Sequence, residues 1–291
     1  MTADLSRIVA TYTAAADHFD TLPFWHYFGR RTVDLLALPP GARVLDLCCG
    51  TGASALPAAE RVGLTGCVLG VDLTPALVDL ARSVAAARGL SQARFEVGDV
   101  STMNVAAGSV DAVVSVFGLF FLDDMAAAVR RAWAWLAPGG QLAVTVWGQV
   151  VLDPGEPYFW GAVLREDPSA AHISPAARLA PPGALEALFA DAGVGVPVVV
   201  TERWHMPLTT PEAFWPVIMG TSNRGVFEAL TPDAQARVKH EVLGRLRAER
   251  VDGLDMEALI AIARKGSVAK AGSVTKAEID EVTDPALLRS R

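Results

Sequence analysis

Short apolar runs alternate with longer amphipathic stretches through the first half of the chain. The apolar runs contain β-branched residues and end in polar or glycine residues, as buried strands do. They cover residues 44–47, 68–72, 95–99, 111–116 and 141–147. Helical periodicity marks the stretches between them, at residues 53–62, 73–88 and 125–136. Because parallel neighbours need a crossover helix, this alternation predicts a doubly wound parallel sheet.

The alternation loosens after residue 147. Residues 148–182 are rich in proline, which predicts an irregular insertion with one helix near residues 158–165. Further helices are predicted at residues 183–192, 210–219 and 231–250, and further strands at 196–206 and 256–264. The predicted fold is therefore α/β: a doubly wound, mostly parallel, seven-stranded sheet of the Rossmann-like type with a helical cap.

The first predicted strand runs directly into a glycine turn. Residues 44–52 read Val-Leu-Asp-Leu-Cys-Cys-Gly-Thr-Gly, and an alanine-rich helix follows. Without a β-carbon, Gly50 and Gly52 can adopt backbone angles that other residues avoid, and a ligand can lie against the main chain. At the N-terminus of a helix, such a turn predicts a ligand pocket.

Two further predicted strands end in carboxylates. Asp72 ends the second strand, about twenty residues after Gly52, the separation at which an acid meets ribose hydroxyls in a βαβ unit. Asp99 ends the third strand. Ligands bind at the carboxyl ends of strands in open parallel sheets, so we expect the three strand ends to converge on one molecule.

At these residues the sequence resembles the class I S-adenosylmethionine-dependent methyltransferases, particularly the small-molecule branch related to the ubiquinone and menaquinone biosynthesis enzymes. The resemblance is clear over residues 41–147. Asp46, Gly50 and Gly52 match the acid and the glycine turn of the family, whereas Cys48 stands where its first glycine usually lies. The resemblance implies S-adenosylmethionine as cofactor and S-adenosylhomocysteine as product.

The resemblance also implies roles for individual residues. Asp72 would hold the ribose hydroxyls, Leu73 would pack on the adenine, and Asp99 with the Val100 backbone would contact the adenine amino edge. Residues 115–117 would face the methionine part. The implied cofactor contacts are Tyr12, Asp46, Gly50, Thr51, Gly52, Asp72, Leu73, Asp99, Val100, Ser115 and Phe117.

The N-terminal segment is aromatic-rich and helical in pattern over residues 8–28. In the family such a segment often covers the cofactor, and Tyr12 falls where its hydroxyl could meet the methionine carboxylate, with Arg30 or Arg31 as cationic alternatives. The last strand would pair antiparallel at the sheet edge. The expected domains are a lid segment at 1–40, a cofactor core at 41–206 plus 254–264 containing the insertion 148–182, a helical cap at 207–253 and a tail at 265–291.

A dinucleotide-binding interpretation competes with this one. Gly50, Gly52 and Ala55 also satisfy the G-x-G-x-x-A pattern, with Asp72 at a suitable distance. Three features favour the methyltransferase: Asp46 before the turn, the Gly98-Asp99 pair, and the residues preceding the first strand. The alternatives are an NAD(P)-dependent oxidoreductase and a non-methylating S-adenosylmethionine-binding member such as a cyclase.

Methyl transfer from a sulfonium requires alignment and desolvation, and needs neither a metal nor a covalent nucleophile. An oxygen, carbon or nitrogen acceptor would still benefit from a histidine base. The candidates are His26 in the aromatic segment and His172 in the insertion. Candidates for the wall of a pocket for a small, apolar or aromatic acceptor are Trp25, Trp160 and Trp215, with Arg224 for an anionic group.

Composition narrows the choice of partner. The net charge of −7 argues against nucleic acid, since neutralising phosphates needs a basic surface. The three cysteines, two of them adjacent, predict free thiols and a cytoplasmic location, and we expect no metal site.

No secretion signal is evident, and the uncharged stretch at residues 132–152 is broken by Pro138, so no membrane span is expected. A monomer or a homodimer fits the sequence.

Overall fold

The structure, a computed structural model, describes residues 5–170 and 174–266 of the 291-residue chain. The strands within these ranges are β1 Arg43–Leu47, β2 Cys67–Asp72, β3 Ala93–Val97, β4 Val110–Val116, β5 Leu136–Trp147, β6 Val198–Pro207 and β7 Gly253–Arg264. The α-helices are α1 Leu5–Phe19, α2 Pro23–Asp34, α3 Ala55–Val62, α4 Pro75–Ala87, α5 Met125–Trp135, α6 Gly155–Glu166, α7 Ala184–Asp191, α8 Phe214–Met219, α9 Asn223–Glu228 and α10 Pro232–Ala248. Short 3₁₀ turns lie at Leu119–Phe121, Pro168–Ala170, Pro175–Arg178 and Pro211–Ala213.

The strands form one sheet in the order β3-β2-β1-β4-β5-β7-β6. The first five strands of that order are parallel, and β7 is antiparallel to both of its neighbours. The predicted doubly wound, mostly parallel, seven-stranded sheet is confirmed. The expectation that the last strand forms the edge is wrong. β7 is buried along nearly its whole length, whereas β6 alternates exposed and half-buried residues and therefore forms the edge.

Apolar side chains cover both faces of the sheet. Along β1, Val44 packs in one cluster of buried residues and Leu45 in the other, and Val113 and Val114 of β4 divide in the same way. Strands buried on both faces are the mark of a parallel sheet with helices on either side. The strand order reverses between β1 and β4, which places a crevice at their carboxyl ends.

The aromatic N-terminal segment forms two helices rather than one. The chain breaks between α1 and α2 because Pro23 takes the first position of the second helix and disfavours a helical conformation at Leu22. Helix α2 belongs to the core: Phe24 and Phe28 are fully buried. Gly29 packs so closely on the main chain of Ala53 that a Cβ there would overlap it. Helix α1 alone lies over the carboxyl edge of the sheet, contacting α4, α8 and α9.

The predicted turn at residues 138–140 lies inside β5. Its main chain pairs with Lys265 just beyond β7, because Gly139 N–H donates to the Lys265 carbonyl and Lys265 N–H donates to the Gly140 carbonyl, both at 2.8 Å. Strand β5 therefore begins at Leu136, five residues before the predicted start at residue 141. Residues 267–291 of the predicted tail lie outside the described residues.

The cap helices α8, α9 and α10 are inserted at the tip of a hairpin. β6 and β7 pair up to Pro207 opposite Gly253, and Leu208 N–H donates to the Asp252 carbonyl at 2.8 Å. Helix α10 packs on α6, which is the helix predicted within the insertion after β5. Between the predicted helices at 210–219 and 231–250, the structure has a further short helix, α9, which begins at Asn223.

Candidate active site

The glycine turn after β1 is held by main-chain hydrogen bonds. Cys49 N–H donates to the Val71 carbonyl at 3.1 Å, and Gly52 N–H donates to the Cys49 carbonyl at 2.9 Å. Gly50 has φ +53° and Gly52 has φ +89°. A Cβ at Gly52 would lie 3.0 Å from Leu56 as well, so both conformation and space require glycine there. The turn brings α3 to the carboxyl edge of the sheet with its N-terminus at the crevice.

Asp72 ties this turn to the end of β2. Its Oδ2 accepts a hydrogen bond from Gly50 N–H at 2.9 Å, and its Oδ1 accepts one from Thr74 N–H at 2.9 Å. Burial raises the pKa of Asp72, and the N–H donors of Thr74 and Gly50 oppose that rise. Each carboxylate oxygen retains a further lone pair for a ligand hydroxyl.

Asp46 is buried beneath the turn, with 1% of its surface exposed. Its Oδ2 accepts a hydrogen bond from Ser54 Oγ at 2.7 Å, while its Oδ1 has no hydrogen-bond partner in the described part of the chain. Burial raises the pKa of Asp46 to about 7, and the nearby charge of Asp72 adds to that rise. Asp46 does not line the cleft itself, so it supports the turn from below.

The third strand end completes the floor of the site. Gly98 N–H donates to the Asp72 carbonyl at 2.9 Å, which holds the end of β3 beside the end of β2. Asp99 Oδ1 accepts a hydrogen bond from Ser101 N–H at 2.8 Å, and this fixes the bend that presents Val100. The ends of β1, β2 and β3 thus meet at one place, as the sequence predicted.

A cleft of about 920 Å³, including the open solvent at its mouth, lies over these strand ends. Of the residues predicted to contact the cofactor or the acceptor, eight line it: Tyr12, Trp25, Gly50, Asp72, Leu73, Asp99, Val100 and Phe117. Among residues 5–170 and 174–266, no lysine, arginine or histidine lines this cleft, and its charged side chains are Asp72 and Asp99. The described wall is therefore acidic where the strands end and apolar elsewhere.

Tyr12 forms part of the roof of the cleft. Its ring meets Phe19 and Phe121 edge-on, at centroid distances of 5.9 and 5.8 Å. Burial raises the pKa of Tyr12 well above its usual value, and the charge of Asp72 adds to the rise. The phenol is therefore neutral at physiological pH.

Besides Asp46, three of the predicted cofactor residues do not line the cleft. Thr51 and Ser115 are each 1% exposed, and Gly52 is enclosed by Leu56 and Phe95. They shape the turn and the end of β4 from behind. Their predicted contacts with a cofactor therefore remain predictions, and the structure gives them a supporting position.

The histidine candidates do not meet the cleft in the described structure. His26 Nε2 lies 3.2 Å from both the main-chain oxygen and the Oδ1 of Asp20, at the break between α1 and α2. The hydrogen bond with Asp20 raises the pKa of His26 and lowers that of Asp20. His26 thus fastens the two helices together and lies outside the cleft lining. His172 lies outside the described residues.

Both arginines considered for the methionine carboxylate are engaged elsewhere. Arg30 pairs with Glu60 at 2.9 Å, and Arg31 pairs with Glu202 at 3.2 Å. Helix α2 directs them towards α3 and the edge strand, because its apolar face is buried in the core. The cationic alternative to Tyr12 is therefore wrong.

Three residues predicted for the acceptor pocket also lie away from the cleft. Trp160 packs edge-on against Phe159, and Trp215 packs edge-on against Phe227 at 4.7 Å. Arg224 pairs with Glu228 at 2.9 Å and donates to the Ala14 carbonyl. Trp160 therefore packs within α6, Trp215 packs within the cap, and Arg224 joins the cap to α1.

Part of the wall was not predicted from the sequence. Local spacing gave no signal for the apolar residues that tertiary packing brings over the cleft, which are Leu5, Ile8, Phe19, Leu77, Phe121 and Leu122. Cys48 also lines the cleft at φ +59°, and its Cβ occupies the space that a Cβ at Gly118 would need. The departure of Cys48 from the glycine pattern was the one available signal for this contact.

Known proteins agree with this geometry. Residues 44–140 match the family described as a methyltransferase domain. Nocamycin O-methyltransferase of Saccharothrix syringae is 32% identical over 261 residues, which cover 85% of this chain and 91% of the relative. The chain belongs to the class I S-adenosylmethionine-dependent methyltransferases. This membership decides between the two interpretations of the glycine turn in favour of the methyltransferase.

A second relative of this methyltransferase matches over a shorter stretch. Aklanonic acid methyltransferase DauC of Streptomyces sp. (strain C5) is 37% identical over 141 residues, 48% of this chain. The chain spans 64% of the length of that relative, somewhat less than two thirds.

Solved structures share the fold of this methyltransferase. The YcgJ protein from Bacillus subtilis has a TM-score of 0.53 at 18% identity and covers 83% of this chain and 99% of its own. The [4+2]-cyclase SpnF has a TM-score of 0.50 at 21% identity and covers 83% and 81%. At such identities the likeness concerns the fold alone. The relatives matched in sequence carry methyltransferase names, so the cyclase alternative is not favoured.

Two further properties of the methyltransferase concern its helices and its cysteines. Within the described ranges, no helix combines the length and the apolar character needed to cross a lipid bilayer. Cys48, Cys49 and Cys67 are free thiols, as predicted.

Proposed function

We propose that this methyltransferase acts on a neutral, predominantly apolar or aromatic small metabolite, of the kind made in secondary metabolism, by in-line displacement. The observation that carries the proposal is the wall of the cleft, where the described lining contains no basic residue. Apolar side chains from α1 and from the segment after β4 form the part of the wall that the cofactor roles leave unassigned, namely Leu5, Ile8, Phe121 and Leu122. An anionic acceptor would find no cation on this wall, whereas an aromatic one would bury its surface there.

The residues present fit S-adenosylmethionine. A sulfonium nucleoside carries no phosphate, and the floor of the cleft offers the Asp72 and Asp99 carboxylates beside a glycine turn that lets a ligand approach the main chain. When bound, S-adenosylmethionine supplies an activated methyl group. The chain supplies orientation and exclusion of water, and well-oriented pairs can gain roughly 7 to 11 kcal/mol from positioning. Asp72 would hold the ribose, and Asp99 with Val100 would hold the adenine.

We further propose that no histidine among residues 5–170 and 174–266 acts as a base in the transfer. His26 is bound to Asp20 outside the cleft, and burial keeps the pKa values of Tyr12 and Cys48 high, so that both groups retain their protons near pH 7. A hydroxyl acceptor would then bind in its neutral form and lose its proton to water as its oxygen takes the methyl group from the sulfur. The relative that matches over 85% of the chain is named an O-methyltransferase, which makes an ionisable hydroxyl the first acceptor to test.

The test is calorimetric titration of the purified protein with S-adenosylmethionine, S-adenosylhomocysteine and NADH, followed by incubation with paired acceptors. Each pair would consist of a phenol and the same phenol bearing a carboxylate, with mass spectrometry to detect the added methyl group. We expect micromolar binding of the first two nucleosides, no binding of NADH, and methylation of the neutral member of each pair. Preferential methylation of the carboxylated members would overturn the proposed acceptor class but leave the cofactor assignment intact.

The cytoplasm is the location we propose, because a reducing compartment keeps the three free thiols reduced. Fractionation of cells that produce the tagged protein would test this location.

A further inference from the structure

Helix α1 is held in place by few buried side chains of its own. Of its fifteen residues, Ala15 and Phe19 are buried, and both lie in its C-terminal half. Leu5, Ile8 and Tyr12, which line the cleft, come from the part of the helix before them. A helix of this length is only marginally stable by itself, because most helical stability in proteins comes from tertiary packing. The position of the cleft-lining part of α1 therefore depends on contacts with other elements.

The cap supplies such contacts around the turn between α8 and α9. Gly220, in that turn, lies so close to α1 that a Cβ would be 3.3 Å from the main-chain carbon of His18 and 2.6 Å from the Leu22 side chain. A Cβ at Gly225 of α9 would lie 4.0 Å from the Thr11 hydroxyl oxygen. The missing side chain at Gly220 is what allows this close approach. The cap thus lies directly against α1.

Arg224 adds a polar link between the cap and α1. Its Nη1 donates to the Ala14 carbonyl of α1, and its Nε pairs with Glu228 of its own helix at 2.9 Å. The Arg224 side chain is 19% exposed, so its hydrogen bond to α1 is largely shielded from water. A hydrogen bond from a charged donor is stronger than one between neutral groups, and shielding preserves that strength. The carbonyl oxygen has two lone pairs, so this bond adds to those within α1.

The cap itself does not reach the described part of the cleft. The lining contributed by residues 5–170 and 174–266 contains no residue of the segment 208–252, which carries α8, α9 and α10. Helix α1 touches both, because it contacts α8 and α9 and also lines the cleft. An effect of the cap on a bound ligand therefore has a route through α1.

We propose that Arg224 is a positioning residue, which holds α1 over the cleft and so lets the cap control how fast a ligand leaves it. The proposal rests on the methyltransferase function proposed above. It deepens that function by giving the cap a part in the reaction that needs no contact between the cap and the ligand.

The experiment compares the wild type with Arg224→Gln, Arg224→Lys and Glu228→Gln. Stopped-flow displacement gives the dissociation rate of S-adenosylhomocysteine, and mass spectrometry gives the hydrogen exchange of residues 5–19. We expect Arg224→Gln to release the ligand about tenfold faster, the usual size for the loss of one hydrogen bond to a charged group, and to exchange faster in α1. Arg224→Lys should stay near the wild type, since an ammonium group still donates to the Ala14 carbonyl. Glu228→Gln is the matched control, because it removes the ion pair and keeps the donor to α1.

A dissociation rate does not depend on the folded fraction, so a variant that is only less stable keeps the wild-type rate. An unchanged rate in Arg224→Gln would overturn the proposal even if α1 exchanged faster, because α1 would then loosen without releasing the ligand. Equal acceleration in Arg224→Gln and Glu228→Gln would assign the effect to the ion pair and would also overturn it. A wild type that binds no S-adenosylhomocysteine would overturn the proposed function. The exchange of α1 would then decide the contact of Arg224 by itself, and unchanged exchange in Arg224→Gln would overturn that contact.

Discussion

Main-chain groups hold the cofactor side of the cleft together, whereas side-chain ion pairs join the helices of the cap. On the cofactor side, the N–H groups of Gly50 and Thr74 converge on Asp72. In the cap, Arg247 of α10 pairs with Glu212 in the turn before α8. Exposed pairs of this kind contribute about 0 to 1 kcal/mol each, so they can be exchanged at little cost. The difference teaches that the polar contacts of the two sides tolerate substitution differently: those of the cofactor side converge on Asp72, whereas no single exposed ion pair of the cap contributes much.

We expect the largest effect from Asp72→Ala, which removes the carboxylate on which the cofactor side depends. The variant loses the proposed ribose contacts as well as the two N–H bonds that fix the glycine turn. Two charge-assisted hydrogen bonds are worth roughly 3 to 6 kcal/mol together, so we expect the affinity for S-adenosylmethionine to fall at least about 100-fold. Calorimetry checks this, with Asp79→Ala as a control, since Asp79 is an exposed acid on α4 paired with Arg82. Binding that survives in Asp72→Ala would show that the cofactor side does not depend on this carboxylate.

Gly118→Ala tests how tightly the cleft is packed behind the turn. Its new Cβ would overlap the Cβ of Cys48, and overpacking of this kind costs about 1 to 3 kcal/mol of unfolding free energy. Cys48→Gly removes the atom that it meets, so the double variant should recover most of the loss. Gly244→Ala on α10 is the control, because no atom lies within 4 Å of its Cβ and a helical alanine should stabilise slightly. Denaturant unfolding gives all four values, and a double variant no better than Gly118→Ala would contradict the overlap.

Asp46→Asn tests how the buried Asp46 carboxyl changes the free energy of unfolding with pH. The folded pKa of Asp46 is raised to about 7 by burial, so the native state holds this proton where the unfolded chain, with a pKa near 3.8, has released it. The contribution of Asp46 is therefore most favourable below about pH 4 and is lost as the pH rises towards 7. Relative to the wild type, the unfolding free energy of Asp46→Asn should rise by about 1 kcal/mol per pH unit between pH 5 and 7. A difference that does not vary with pH in apo protein would contradict the raised pKa.

His26→Gln should have the smallest effect. The pKa of His26 is raised, chiefly by Asp20, so their pair stabilises the fold below the unfolded pKa of His and loses that effect as the pH rises through the folded pKa. Both side chains are more than a third exposed, so the loss at pH 5.5 should be under about 1 kcal/mol. Methyl transfer at pH 8 should remain close to the wild-type rate. A large drop in turnover with unchanged stability would restore His26 as the base.

The sequence predicted the cofactor side because its signals are local. Gly50 and Gly52 mark a turn that only glycine forms easily, and Asp72 and Asp99 each follow an apolar run, so strand ends and ligand groups coincide along the chain. Pro23 is also a local signal, because proline favours the first position of a helix. The aromatic pattern continues on both sides of it, so the segment was predicted as one helix. The apolar wall was not predictable, since Ile8 and Phe121 come together only through packing between distant segments.

The roles of the cap residues were also not predictable from the sequence. Trp215 and Arg224 have the residue types of a binding pocket, but each is used by its neighbours within the cap. Nothing in their spacing distinguishes the two uses, because helical periodicity reports that a face is buried and not what buries it.

The hairpin that carries the cap has a practical consequence for engineering. Because Pro207 lies opposite Gly253 in the β6 and β7 register, the segment 208–252 leaves the sheet and returns to it at neighbouring positions. A foreign segment of any length whose ends lie one strand spacing apart could be grafted at these two points without altering the register of the sheet. The segment above the hairpin can therefore be exchanged as a unit, and the described lining of the cleft, which contains no residue of 208–252, would be retained.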